Sequence, residues 1–189
     1  MRTLAVAAVL LATAAAPGGA SAQGLTQDEA LRLAFPTADA VERRTAYLDD
    51  AQLERARALA GTGVEVKTTV VTHYVATVAG APLGVAYFDP HRVRTLAEVL
   101  MIVVDPDGRI RRMEVVSFRE PPEYRPPPGW LAQFHGRELD GDLSLKGEIP
   151  NITGATLTSG AATDAARRVL ALHAVIDPFA SSAGDEDSR

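Results

Sequence analysis

Residues 95–118 leave the backbone the fewest choices. Thr95 to Val104 is strongly apolar and strand-like, with LMIVV at its centre. Asp105-Pro-Asp-Gly108 is a turn signal, and Ile110 to Phe118 returns as the partner strand. Two β-rich runs around a short Asp/Pro/Gly turn make a hairpin. On the return, Ile110, Val115 and Phe118 do not alternate cleanly, which points to a bulge.

More strand signal lies upstream. Val64 to Thr77, rich in Val, Thr and Tyr, reads as one strand or two; Gly80-Ala-Pro82 is a turn; Leu83 to Phe88 is a further strand. The core is thus expected to be a meander of antiparallel strands. Thr26-Gln-Asp-Glu starts like a capped helix that Pro36 stops. Residues 49–60 read as a second helix, with Asp49 as cap, Leu53, Ala56 and Ala60 on one stripe, and Gly61 as the stop. A last helix is expected from Ser159 to about His173, with Ala162, Ala165, Ala166, Val169, Leu170 and His173 on one face. The fold class is α+β: an antiparallel sheet with helices on one side and the last helix packed across it.

The ends read differently. Arg2, the apolar run Leu4–Ala16 and Ala20-Ser21-Ala22 form a signal peptide over residues 1–22, since the run is shorter than the roughly 20 residues that span a membrane. The expected organisation is 1–22 signal peptide, 23–62 N-terminal helical segment, 63–178 main α+β domain and 179–189 disordered tail. The expected location is the periplasm.

Composition excludes several chemistries. The net charge of −5 argues against a nucleic-acid partner, which needs a basic face. With no cysteine there is no thiol nucleophile, CxxC redox pair or c-type haem attachment. The four histidines, His73, His91, His135 and His173, have no metal-ligand spacing, so no metal site is expected. His173, alone on an apolar stripe, reads as a core histidine.

NITGATLTSGAA, residues 151–162, holds three threonines, a serine and two glycines just before the last helix. Three readings compete: a helix cap, a glycosylation acceptor at Asn151-Ile-Thr153, and a place of attachment. Free N–H groups and the helix dipole favour an anion there. Gly154 and Ala155 put little bulk around the Thr156 hydroxyl, while Thr158 or Ser159 is the expected cap.

TGATLTS, residues 153–159, resembles the flavinylation motif of the FMN-binding domain family, which includes the small flavin subunits of the sodium-pumping NADH:quinone reductase and of Rnf complexes. The order of strand, D-x-D-G turn, strand, glutamate, GWLAQFHGR and threonine motif, over roughly residues 83–175, is similar to the family's. FPTADAVERRTAYL and HRVRT resemble its exported single-domain members. The resemblance implies FMN linked by a phosphodiester to Thr156, with Thr153, Gly154, Ala155, Leu157 and Thr158 completing the motif. It implies a flavin transferase that takes FMN from FAD, and a membrane-bound or exported redox partner. It places Glu120 where the family has its glutamate after the hairpin. Trp130 and Tyr124 can pack on the isoalloxazine or anchor the proline-rich segment REPPEYRPPPGW, residues 119–130. His91, Arg92 and Arg94 can meet the phosphate or form ion pairs. Six residues before the acceptor, where the family usually has aspartate, this chain has Pro150, with Glu148 and Asn151 nearby. The function so implied is an exported electron-transfer flavoprotein. A binding module of the same fold without flavin, and a flavin-dependent reductase of a small molecule, are the alternatives.

Overall fold

The computed structural model describes residues 24–179. The expected signal peptide and all of the expected tail after Phe179 lie outside the described residues. Five strands, β1 (Ala40–Tyr47), β2 (Val70–Val78), β3 (Ala81–Arg92), β4 (Ala97–Val104) and β5 (Ile110–Phe118), form one antiparallel sheet in the order β1-β2-β3-β4-β5. This is the expected meander, with one more strand.

The extra strand is β1. Its residues AVERRTAY are mostly exposed, so no apolar alternation marks it. It pairs with β2 from Ala40↔Thr77 to Tyr47↔Val70. Val64–Thr69, read as strand from sequence, precedes β2 without regular pairing.

β4 explains itself. Leu100, Ile102 and Val104 join the core beneath the long helices, while Met101 and Val103 join a second core on the opposite face. All five are fully buried, which is why the run is apolar without alternation. The irregular pattern of β5 has an equally direct cause. Val104 pairs with Ile110 and Val103 with Arg112, so Arg111 is extra; Leu100 pairs with Val115 and Val99 with Ser117, so Val116 is extra. These two bulges bring Ile110, Met113, Val115 and Phe118 to one face.

Helix α1 (Gln27–Ala34) is closed by a capping box between Thr26 and Glu29. Helix α2 (Asp50–Ala60) has the same device between Asp49 and Gln52 and ends at Gly61, whose φ of +91° suits glycine. The two helices of the expected N-terminal helical segment pack on opposite faces of the sheet. Ala30, Ala34 and Phe35 of the α1 region pack on Ala76, Ala86, Met101 and Val103, whereas Leu53, Ala56 and Ala60 of α2 pack on the other face with the last helix. Helices therefore flank both faces, not one as the sequence suggested. The short α3 (Pro128–Leu131) and a 3-10 turn (Ala132–Phe134) follow β5. Helix α4 (Thr156–Ile176) crosses the sheet and is the longest described element. No described helix is long and apolar enough to cross a membrane.

Candidate functional site: the turn that opens the last helix

The loop before α4 is polar in sequence but built around Leu143 and Ile149, both fully buried. Within it, the Asp142 carbonyl accepts from the Ser144 and Glu148 amides, and the Ser144 carbonyl from those of Gly147 and Ile149. Gly147 is required there, because a Cβ would stand 2.5 Å from the Asp142 carbonyl oxygen. Glu148 is ion-paired with Arg137. The chain therefore reaches Pro150 on a fixed course.

Helix α4 begins at Thr156, earlier than the sequence suggested, and its N-cap is Ala155. Neither Thr158 nor Ser159 caps it. Thr158 is buried, and its hydroxyl donates to the Tyr124 carbonyl at 2.8 Å. The Ser159 hydroxyl accepts the Ile152 amide at 2.8 Å and donates to the Ala155 carbonyl at 3.2 Å. With the Ala155 amide bonded to the Ile152 carbonyl at 3.0 Å, Ser159 closes the turn from inside. Gly154, at φ +82°, makes the reversal, and a Cβ there would meet nothing within 4 Å.

The Thr158 and Ser159 side chains are spent on bracing, while those of Thr153 and Thr156 are left out in the open. Thr153, Gly154, Thr156 and Leu157 are exposed; Ala155, Thr158 and Ser159 are buried. No side chain caps the helix start. The first-turn amides thus present partial positive charge beside the Thr156 hydroxyl, a setting that suits a phosphodiester anion.

The other site residues enter through this network. The Trp130 indole N–H donates to the Pro150 carbonyl at 2.7 Å, and its ring packs edge-on against Phe134 at 5.2 Å. Glu120 is buried rather than solvated. Its Oε1 accepts the Thr95 and Leu96 amides at 2.7 Å each and that of Arg94 at 3.2 Å. The Leu96 and Thr95 amides hold its carboxyl below the usual range. Glu120 so fixes the β3–β4 turn. That turn lays the Arg94 guanidinium 5.3 Å from the Tyr124 ring centroid. Glu120, Arg94, Tyr124 and Thr158 thus form one chain of contacts ending in the first turn of α4.

Residues 97–171 match the family model of the FMN-binding domain. The chain carries an FMN-binding domain. FMN is the cofactor this gives it, and the chain is a flavin-binding protein. No curated protein matches the chain significantly. The matched span runs from β4 through the proline-rich segment and the turn at residues 150–159 into α4, and β1–β3 lie before it.

An ion chain joins β3, β4 and α4; ion pairing was one of the two expectations for His91, but the partners Asp89, Glu98 and Arg168 were not named from sequence. Arg168 of α4 grips Asp89 through Nε and Nη2, at 2.7 and 2.8 Å; His91 bonds Asp89 at 2.9 Å through Nδ1 and Glu98 at 3.1 Å through Nε2. The basic cluster therefore divides: His91 is in ion pairs, while Arg92 donates to the Thr95 carbonyl. The signal was available. Asp89 and His91 are two apart on one strand and so share a face, and Glu98 is the register partner of His91. With an acceptor at each ring nitrogen, His91 carries both protons. Burial opposes that charge, but Asp89 and Glu98 outweigh it and push its pKa up to about 9. Asp89, Arg168 and His91 line an open cavity of about 670 Å³ with Ala161 and Asp164 of α4 and Glu65 and Lys67. Burial raises the pKa of Asp164. Among the described residues, no group of three or more His, Asp or Glu could hold a metal ion.

His173 is the core histidine expected. Its Nδ1 stands 3.0 Å from the Tyr87 hydroxyl, and burial lowers its pKa to about 4. The two histidines pull stability in opposite directions. Between pH 4 and 6.5 the unfolded chain binds the proton at position 173 that the fold refuses, so stability rises with pH. Between 6.5 and 9 the fold holds the proton on His91 that the unfolded chain releases, so stability is lost as pH rises through about 9. Each limb is worth on the order of 3 kcal/mol. Urea unfolding of the FMN-binding domain is expected to show a stability maximum near pH 6.5, and His91→Gln to flatten the alkaline limb. Wild-type stability unchanged from pH 6.5 to 9 would contradict this.

Proposed function

We propose that the chain is an exported electron-transfer flavoprotein that carries FMN through a phosphodiester on Thr156. The observation that carries the reading is the exposed Thr156 hydroxyl at an uncapped helix start, inside the Thr153-Gly154-Ala155-Thr156 motif. In the bond-forming step the Thr156 oxygen attacks the FMN phosphorus of FAD. The pyrophosphate bond breaks, AMP leaves, and the hydroxyl proton passes to a base of the flavin transferase. Bound flavin supplies one- and two-electron transfer. The protein's own part is to hold the phosphate at the first-turn amides and keep the attachment point fixed. Residues 1–22 support export, and covalent attachment keeps a cofactor that would otherwise diffuse away. The redox partner on this reading is a membrane-bound or exported protein.

The test is intact mass after co-production with a flavin transferase. The expected gain is one FMN less one water, on a peptide containing Thr156. An unmodified, colourless protein from a host that flavinylates other proteins would instead support the flavin-free binding module.

One observation favours a second reading, a reductase of a small molecule. The cavity beside β3 reaches Ala161, on the stripe that also holds Leu157 and Asp164. Steady turnover by the isolated flavoprotein, with a simple electron donor and no protein partner, distinguishes this from an electron carrier.

A further inference from the structure

The proline-rich segment is the motif that the site above leaves without a task. Pro121, Pro122, Pro126, Pro127 and Pro128 restrict its φ angles, so it holds its course with few backbone hydrogen bonds of its own. It runs through two short turns, Pro122–Tyr124 and Pro128–Leu131. From each it gives one hydrogen bond to the acceptor turn. The Trp130 indole N–H donates to the Pro150 carbonyl, upstream of Thr156, and the Tyr124 carbonyl accepts from Thr158, downstream of it. The other bonds within residues 150–159 are local: Ser159 to Ile152 and Ala155, and Ala155 to Ile152. Those close the turn on itself. The two bonds to the proline segment are the hydrogen bonds that tie it to a distant part of the chain.

Resting on the reading that Thr156 is the attachment residue, we infer that Tyr124–Trp130 is a rigid brace that presents Thr156 to the flavin transferase, with the Trp130 indole N–H as its chief positioning group. Position 150 offers the brace a backbone carbonyl, so no side-chain function is needed there. Glu148 has its own partner in Arg137 and is not recruited. Trp130 is a positioning residue and takes no part in forming the bond.

Trp130→Phe removes the N–H and keeps a ring to pack on Phe134; Thr158→Val removes the other bond at nearly constant volume. Two measurements separate the brace from its premise. Amide hydrogen exchange on the unmodified protein needs no transferase: the Ile152 and Ala155 amides should exchange about tenfold faster in Trp130→Phe, the equivalent of one lost hydrogen bond, with β3 and β4 unchanged. In a time course with purified transferase and FAD, read by intact mass, FMN transfer to each variant should slow about tenfold while the thermal midpoint stays near wild type. Unchanged exchange at Ile152 and Ala155 overturns the brace. So does wild-type transfer in Trp130→Phe, or a slowing that merely tracks loss of folded protein. A wild-type protein that accepts no FMN defeats the attachment reading, while the exchange result still decides the brace.

Discussion

Thr156→Ala is expected to abolish covalent flavin entirely and to leave the fold intact. The hydroxyls of the motif are not equivalent. Thr158 and Ser159 are buried and bonded, so replacing either disturbs the turn. Thr156 is exposed, and among the described residues its hydroxyl makes no hydrogen bond. Losing it removes the bonding oxygen and little else, and exposed substitutions of this kind usually stay within about 0.5 kcal/mol. Intact mass and in-gel flavin fluorescence read the first effect, and urea unfolding reads the second. Flavin retained on Thr156→Ala would move the attachment to another hydroxyl and undo the assignment.

Arg168→Met should be among the most destabilising substitutions in the protein. Asp89 is 8% exposed and depends on Arg168 for two charge-assisted bonds. Arg168 also donates to the Glu65 carbonyl, tying the segment before β2 to α4. Burial works against the ionised Asp89, but Arg168 and then His91 keep its pKa below the usual value. Removing the guanidinium leaves a buried carboxylate with His91 alone, a loss of about 3–5 kcal/mol for a broken buried pair. The double variant Asp89→Asn with Arg168→Met is expected to recover much of that, since no unpaired charge remains. Denaturant midpoints of the two single variants and the double close the cycle. Additive losses would mean that the pair is not coupled.

The hairpin, the meander and the capped helix at Asp49 were legible because each is written locally, in a turn tetrapeptide, an apolar run or a cap with its partner three residues on. β1 was not, because its charged, exposed residues acquire strand character only from pairing with β2. The side chosen by α1 was hidden for a related reason: β4 is apolar on both faces, and apolarity does not say which helix lies on which. At the candidate site, motif resemblance singled out Thr156; its side chain is exposed, as is that of Thr153. An anchoring role for Trp130 was among the expectations, but its partner Pro150 was out of reach, as were the tasks of Thr158 and Ser159. The Trp130 and Thr158 bonds depend on the path of the proline-rich segment, which no side-chain pattern encodes, and Ser159 bonds backbone atoms of the turn itself.

The acceptor turn is tied to residues 20 and 34 positions away in the chain, through Trp130–Pro150 and Thr158–Tyr124. Contacts of that span exist only once the hairpin, the proline segment and α4 have come together. A nascent or misfolded chain carries the letters TGAT but not their shape. On the proposed reading, the cofactor is therefore added last, to finished molecules only. The yellow colour of a preparation then becomes a per-molecule tally of correct folding, and export and folding both precede loading.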